Sequence, residues 1–212
     1  MRLRPRTGAM GDAIEGEQLE RFALAGGEAV MFDKTVALDP MIGVIGTAPC
    51  GNADGEGIDT CTPGTHGGNM DVRLITAGST LYLPVNAPGA LLSMGDVHAL
   101  MGDGEVAICG LECSAEVDVR VRLIKGRAFG WPVLRARDGS WHVLASAFTL
   151  DEAAKIARYA LLDFLAARTA CSANQLVMLM SVVGQLQICQ VVDPLMTVRM
   201  GVPANAFLDL DF

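Results

Sequence analysis

Long apolar runs are absent: no stretch of the 212-residue chain is apolar for long enough to cross a bilayer as a helix. Positive charge is also short, with 16 Lys and Arg against 24 Asp and Glu, a formal net charge of −8. That balance argues against nucleic acid or an anionic membrane as partner. The N-terminus, Met1-Arg2-Leu3-Arg4-Pro5-Arg6, is basic, but no apolar segment follows it. It therefore does not read as a secretory signal, and a cytoplasmic location is expected. The six cysteines, Cys50, Cys61, Cys109, Cys113, Cys171 and Cys189, include no Cys-x-x-Cys pair. Reduced, mostly buried thiols are expected rather than a disulfide framework. Cys50 and Cys61 flank a polar loop where they could chelate or cross-link. Cys109 and Cys113 sit in a strand pattern, where two small core residues are the simpler reading. Neither Ser-x-x-Lys nor Gly-x-Ser-x-Gly occurs, so the common serine nucleophile motifs are missing. No repeat, low-complexity tract or heptad pattern appears.

What is present describes a packed domain, with 51% hydrophobic and 19% charged residues. Residues 1–28 are glycine-rich and weakly periodic, so they read as loop with one short strand at 21–24. Strands are expected at 29–32 and 35–38 about an Asp33-Lys34 turn, and at 41–45, which is apolar on both faces. After a Gly/Asp/Asn/Thr-rich loop, 49–68, strand character returns at 71–76 and 81–85, which could pair as a hairpin. Residues 105–124 form the longest strand pattern. Its second half sets Val117, Val119, Val121 and Leu123 on one side and Glu116, Asp118, Arg120 and Arg122 on the other, as in a half-buried antiparallel strand. One more strand is expected at 141–147. The period then changes to helical. Thr149 to Glu152 opens a helix over 150–168, and Ser172 to Gln175 opens a second over 175–186 that is apolar nearly all round and should be buried. A closing strand is expected at 197–200. The class is α+β: a mostly antiparallel sandwich or barrel-like body with two C-terminal helices.

The chemistry concentrates in Ser93-Met94-Gly95-Asp96-Val97-His98-Ala99-Leu100-Met101-Gly102-Asp103-Gly104-Glu105, read as a polar loop between apolar runs. One imidazole among three carboxylates is the ligand set of a divalent metal or of a general acid/base pair. The alternative is a solvated turn. A second polar cluster, His66-Gly67-Gly68-Asn69-Met70-Asp71, favours a site. Glu112, between Leu111 and Cys113, is either a buried carboxylate that must be paired or metal-bound, or a strand-edge glutamate in water. His142, beside Trp141, reads as structural.

Several blocks, in order, resemble the acetamidase/formamidase family. They are Pro40-Met41-Ile42-Gly43-Val44-Ile45-Gly46, His66 through Asp71, Gly78-Ser79-Thr80-Leu81-Tyr82-Leu83-Pro84-Val85, Gly95 through His98, and Met101 through Glu105. Leu179-Met180-Ser181-Val182-Val183-Gly184 and Ile188-Cys189-Gln190-Val191-Val192-Asp193-Pro194 extend the match. The resemblance implies hydrolysis of short aliphatic amides to carboxylate and ammonia on a β-rich body. It also implies a missing N-terminal β module, with 1–28 as its tail and 29–212 as the amidase-like domain. A homo-oligomer, a dimer in the first instance, and a separate N-terminal subunit become the expected partners. A non-catalytic, partner-dependent subunit with half a site is the competing reading.

Set on these residues, the expected chemistry is a water activated by a divalent ion, zinc in the first instance. Asp71, His98, Asp96 and Glu112 are the expected ligands. His66 would be a further ligand or proton donor, and Glu105 or Asp103 a base or a support. Asn69 would orient the substrate, with Gly67 and Gly68 admitting it close to the backbone. Cys113 as nucleophile is a minor alternative.

Overall fold

The computed structural model describes residues 1–49, 57–127 and 129–206, so Cys50 of the Cys50/Cys61 pair lies outside the described residues. At the N-terminus β1 (Arg2–Leu3) pairs with β2 (Gln18–Leu19), and β3 (Leu24–Ala25), β4 (Glu28–Met31) and β5 (Lys34–Ala37) form a small meander. The body then adds β6 (Met41–Gly46), β7 (Gly67–Asn69), β8 (Thr80–Tyr82), β9 (Ser93–Leu100) and β10 (Leu111–Glu112). Next come β11 (Val133–Arg135), β12 (Trp141–Ala147), α1 (Leu150–Ala166), α2 (Ala173–Val183), β13 (Gln185–Gln190) and β14 (Met196–Val202).

Two larger antiparallel sheets stack as a sandwich, and neither closes into a barrel. One runs β13-β14-β12-β11-β8, the other β10-β9-β6-β7. The helices cover one face of the five-stranded sheet. Ala153, Ala157, Leu161 and Phe164 of α1 pack there on Trp141, Val143, Val198 and Met200. That stripe recurs every three or four residues, as a helix face buried on a sheet requires. Leu134, Leu144 and Cys189 of the opposite face meet Ile45, Met70, Val72 and Ile75. With both faces covered, all seven residues of β12 are buried. Thr149 caps α1 by accepting from the Glu152 amide at 3.2 Å, and Ser172 with Gln175 makes a complete capping box on α2.

Four expectations are corrected. Residues 71–76 form no strand and no hairpin with 81–85: β7 lies earlier, on β6, while β8 joins the other sheet. The central polar stretch is not wholly a loop, because β9 carries Asp96 and His98. The second helix ends at Val183, since Leu186 belongs to β13, and only Leu176 and Met180 of it are buried. Val177, Met178 and Val182 are exposed, because α2 lies at the periphery and finds cover on one side only. Finally, of 105–124 only Leu111–Glu112 is strand. Residues 113–124 continue without helix, turn or bend and with no sheet partner among the described residues, and Cys109 and Cys113 are only partly buried.

Candidate metal centre

The four-stranded sheet gathers the site. Its registers set His98 of β9 opposite Met41 of β6 on one side and opposite Glu112 of β10 on the other. Gly43 of β6 lies beside Asp96, and a Cβ there would stand 2.5 Å from Asp71 Oδ1 and 2.7 Å from Asp96 Oδ2. Glycine is therefore what lets two carboxylates converge over β6. Gly110 does the same for His98, whose Nδ1 and Cγ would lie 2.6 and 2.7 Å from an added Cβ. Around the imidazole, Nε2 lies 3.3 Å from Asp96 Oδ1, 3.3 Å from Glu112 Oε1 and 4.0 Å from Glu105 Oε1, and Nδ1 lies 4.0 Å from Asp71 Oδ1. Two groups, Asp71/His98/Glu105 and Asp96/His98/Glu112, each bring three ligand atoms within 4.8 Å of one another.

The backbone is held to this arrangement at a conformational cost. Asp71, Asp96 and Glu105 have φ of 47°, 54° and 44°, a left-handed region that disfavours side chains. Left-handed non-glycine residues at the converging carboxylates mark a place where geometry, not local preference, is decisive.

The charges do not balance among themselves. Asp71 and His98 are each 1% exposed, and both Asp71 carboxylate oxygens are buried without a hydrogen-bond donor. Burial raises the Asp71 pKa against the pull of His98. Burial, with the Asp71 charge behind it, pushes Glu105 up to about 9. Burial alone would lower His98, but the hydrogen bond to Asp96 and the charges of Glu112, Asp96 and Asp71 outweigh it and raise it to about 9. Buried carboxylates that lack donors are stable only with protons or a cation among them. Oxygen-rich ligation with one imidazole fits a divalent ion.

One contributor escapes the sequence reading. Asp193, named there only within a block of the family resemblance, accepts from Asn69 Nδ2 at 3.0 Å, and burial plus the Asp71 charge push it up to about 8. Its one sequence signal is an acid closing an apolar strand beside a proline. Asp103 turns elsewhere, both its oxygens held by Arg199. His66, 6% exposed and lowered in pKa by burial, lines a pocket of about 260 Å³ with Thr47, Thr62, Gly68 and Ser93. Gly67 and Gly68 are buried, with φ of 95° and 87°, and let β7 approach β6 and the Thr62 carbonyl. Glu112 has a side chain 43% exposed, so it is the solvent-facing ligand candidate. Burial raises the Cys113 thiol, which weakens it as a nucleophile. His142 is buried and bonded to Ser140 Oγ at 2.8 Å.

A family model described as the acetamidase/formamidase family matches residues 28–209. The chain belongs to that family. Its fold matches the acetamidase of Bacillus halodurans at 43% identity and a TM-score of 0.93, over all of this chain and 70% of that one. An acetamidase/formamidase of Thermoanaerobacter tengcongensis, itself so described by prediction, matches at 36% identity and a TM-score of 0.92 with the same coverage. A formamidase of Methylophilus methylotrophus is 46% identical over 74 residues, which is 34% of this chain and 18% of that protein. The chain thus aligns with under a fifth of that curated relative. No helix among the described residues is long and apolar enough to cross a membrane.

Proposed function

We propose that this member of the acetamidase/formamidase family hydrolyses short aliphatic amides such as formamide or acetamide, through a divalent ion held by Asp71, Asp96, His98 and Glu112. The observation that carries the reading is the pair of orphaned Asp71 oxygens beside His98, a donor set short of one cation. When bound, such an ion, zinc on this reading, would lower the pKa of water to about 7 and polarise an amide carbonyl. Glu105, raised in pKa by burial and 4.0 Å from His98 Nε2, would be placed to pass a proton to the leaving nitrogen. Asn69, fixed by Asp193, would orient the amide, and His66 with Gly68 would line its approach. Asp103 supports Glu105 through the chain rather than by contact. We further read the protein as cytoplasmic and oligomeric, with 29–212 as the amidase domain.

A second reading, a partner-dependent subunit, draws support from 113–124, which have no sheet partner among the described residues. Ammonia release from formamide and acetamide by the purified chain, with and without added zinc, tests the proposal. Turnover that a chelator abolishes and zinc restores supports it. No turnover with metal bound favours the partner-dependent reading, and turnover indifferent to chelation contradicts the metal route.

A further inference from the structure

β13 shifts register at its end. Ile188 lies opposite Val198 and Gln190 opposite Thr197, so Cys189 is an extra residue. Val198 faces the helices, and strict alternation would send Gln190 the same way as Ile188. The bulge instead turns Gln190 to the Thr197 face, between the two sheets, where it is fully buried. Its carboxamide is fully used there. Nε2 donates to the Leu195 carbonyl at 2.6 Å and to Thr197 Oγ1 at 3.1 Å, and Oε1 accepts from the Val192 and Asp193 amides at 2.9 and 3.1 Å. One side chain thus closes the turn over 191–195, whose residues form no helix or strand of their own. The backbone on either side of Gln190 grips Gly104: Gly104 N–H donates to the Cys189 carbonyl at 2.8 Å, and Val191 N–H donates to the Gly104 carbonyl at 3.2 Å. Asp193 and Glu105 are therefore both set from this one position.

We propose that Gln190 is a positioning residue of the metal centre, holding Asp193 where Asp193 fixes the Asn69 carboxamide. Asp193 Oδ2 accepts from Asn69 Nδ2 at 3.0 Å, and among the described residues the buried Asn69 Oδ1 has no donor. With Nδ2 committed to Asp193, Oδ1 is the atom turned to accept from an amide N–H. The purpose of the device rests on the amidase reading, but its geometry does not. Gln190 makes none of its own hydrogen bonds to Asn69 or to a proposed metal ligand, so it acts through Asp193 and through the Gly104 bridge. An apolar side chain at 190 would leave two backbone amides and a carbonyl without partners. Orphaned buried groups are costly, so the turn would rearrange and carry Asp193 away from Asn69.

The test begins with hydrogen exchange on the parent chain. The Val192 and Asp193 amides should be protected as well as those of β14, and exchange at the rate of an open loop would overturn the proposal. NMR then follows the Asn69 side-chain amide, with Asp193→Ala marking its signal once the anchor is gone. Gln190→Leu should move the Asn69 signal to that position. Gln190→Glu keeps an acceptor for both backbone amides and should leave the signal near that of the parent. A signal unmoved by Gln190→Leu, or moved by Gln190→Glu as far as by Asp193→Ala, would overturn the proposal. Should Gln190→Leu not fold, the exchange rates and the Gln190→Glu spectrum decide. In amide hydrolysis, Gln190→Leu should lower kcat about ten-fold with zinc content retained, and adding it to Asp193→Ala should cost nothing further. Losses that multiply would make Gln190 merely structural and overturn the proposal. A parent without turnover would contradict the amidase reading alone, because exchange and the Asn69 signal require no substrate.

Discussion

Arg199 grips Asp103 with two parallel hydrogen bonds of 2.7 Å, and two residues further along the chain Glu105 faces His98. The guanidinium is 2% exposed and also bonds Gln187 at 3.1 Å. Gly104 N–H donates to the Cys189 carbonyl at 2.8 Å, so the turn bearing Glu105 is fastened to β13 and β14 at two points. A bidentate pair fixes direction as well as distance.

Arg199→Met should therefore loosen Glu105 as well as weaken the fold. Removing one partner of a buried pair costs about 3–5 kcal/mol, and the 33% exposure of the Asp103 side chain brings the expectation to roughly 2–3 kcal/mol. Urea unfolding measures it. A loss within experimental error would show that the pair holds nothing in place.

Gly43→Ala separates site from fold. The glycine has no left-handed φ, so alanine suits the strand backbone, but its methyl would stand 3.0 Å from the Asp96 carbonyl oxygen and occupy the space of the Asp71 and Asp96 carboxylates. Zinc affinity should fall by about 100-fold, the scale of disturbed ligand positioning, with the circular dichroism spectrum retained. Unchanged affinity would mean that those carboxylates are not ligands.

His142 gives the stability a pH dependence. Burial, helped by the Arg199 charge, lowers it from 6.5 to about 4. The unfolded chain thus binds this proton more readily than the folded one between those values. Stability from this group is full above pH 6.5 and is lost as pH falls toward 4, by on the order of 3 kcal/mol. Parent and His142→Gln should differ in the slope of stability over that window. Parallel curves would contradict the assignment.

Much of the fold is legible in the chain. β12 is bounded as its apolar run and the Asp138-Gly139 turn predict, and α1 starts at Thr149 because a cap and a stripe agree there. Less legible are features fixed by partners distant in sequence. The alternation at 117–123 predicts a strand that the structure does not form there, because a period-two pattern cannot supply a neighbouring strand. The apolar α2 reads as buried, although its place at the margin leaves Met178 and Val182 in solvent. At the site, Asp96, His98 and Glu105 are visible as a local cluster. Asp193 enters only because β13 carries it to Asn69 across 124 residues.

The central claim is that this cluster binds a divalent ion through His98. Elemental analysis of the purified chain, of His98→Ala and of His142→Ala, each equilibrated with zinc and desalted, tests it most directly. The account predicts near-stoichiometric zinc on the parent and on His142→Ala and almost none on His98→Ala. A full complement of zinc on His98→Ala would contradict it.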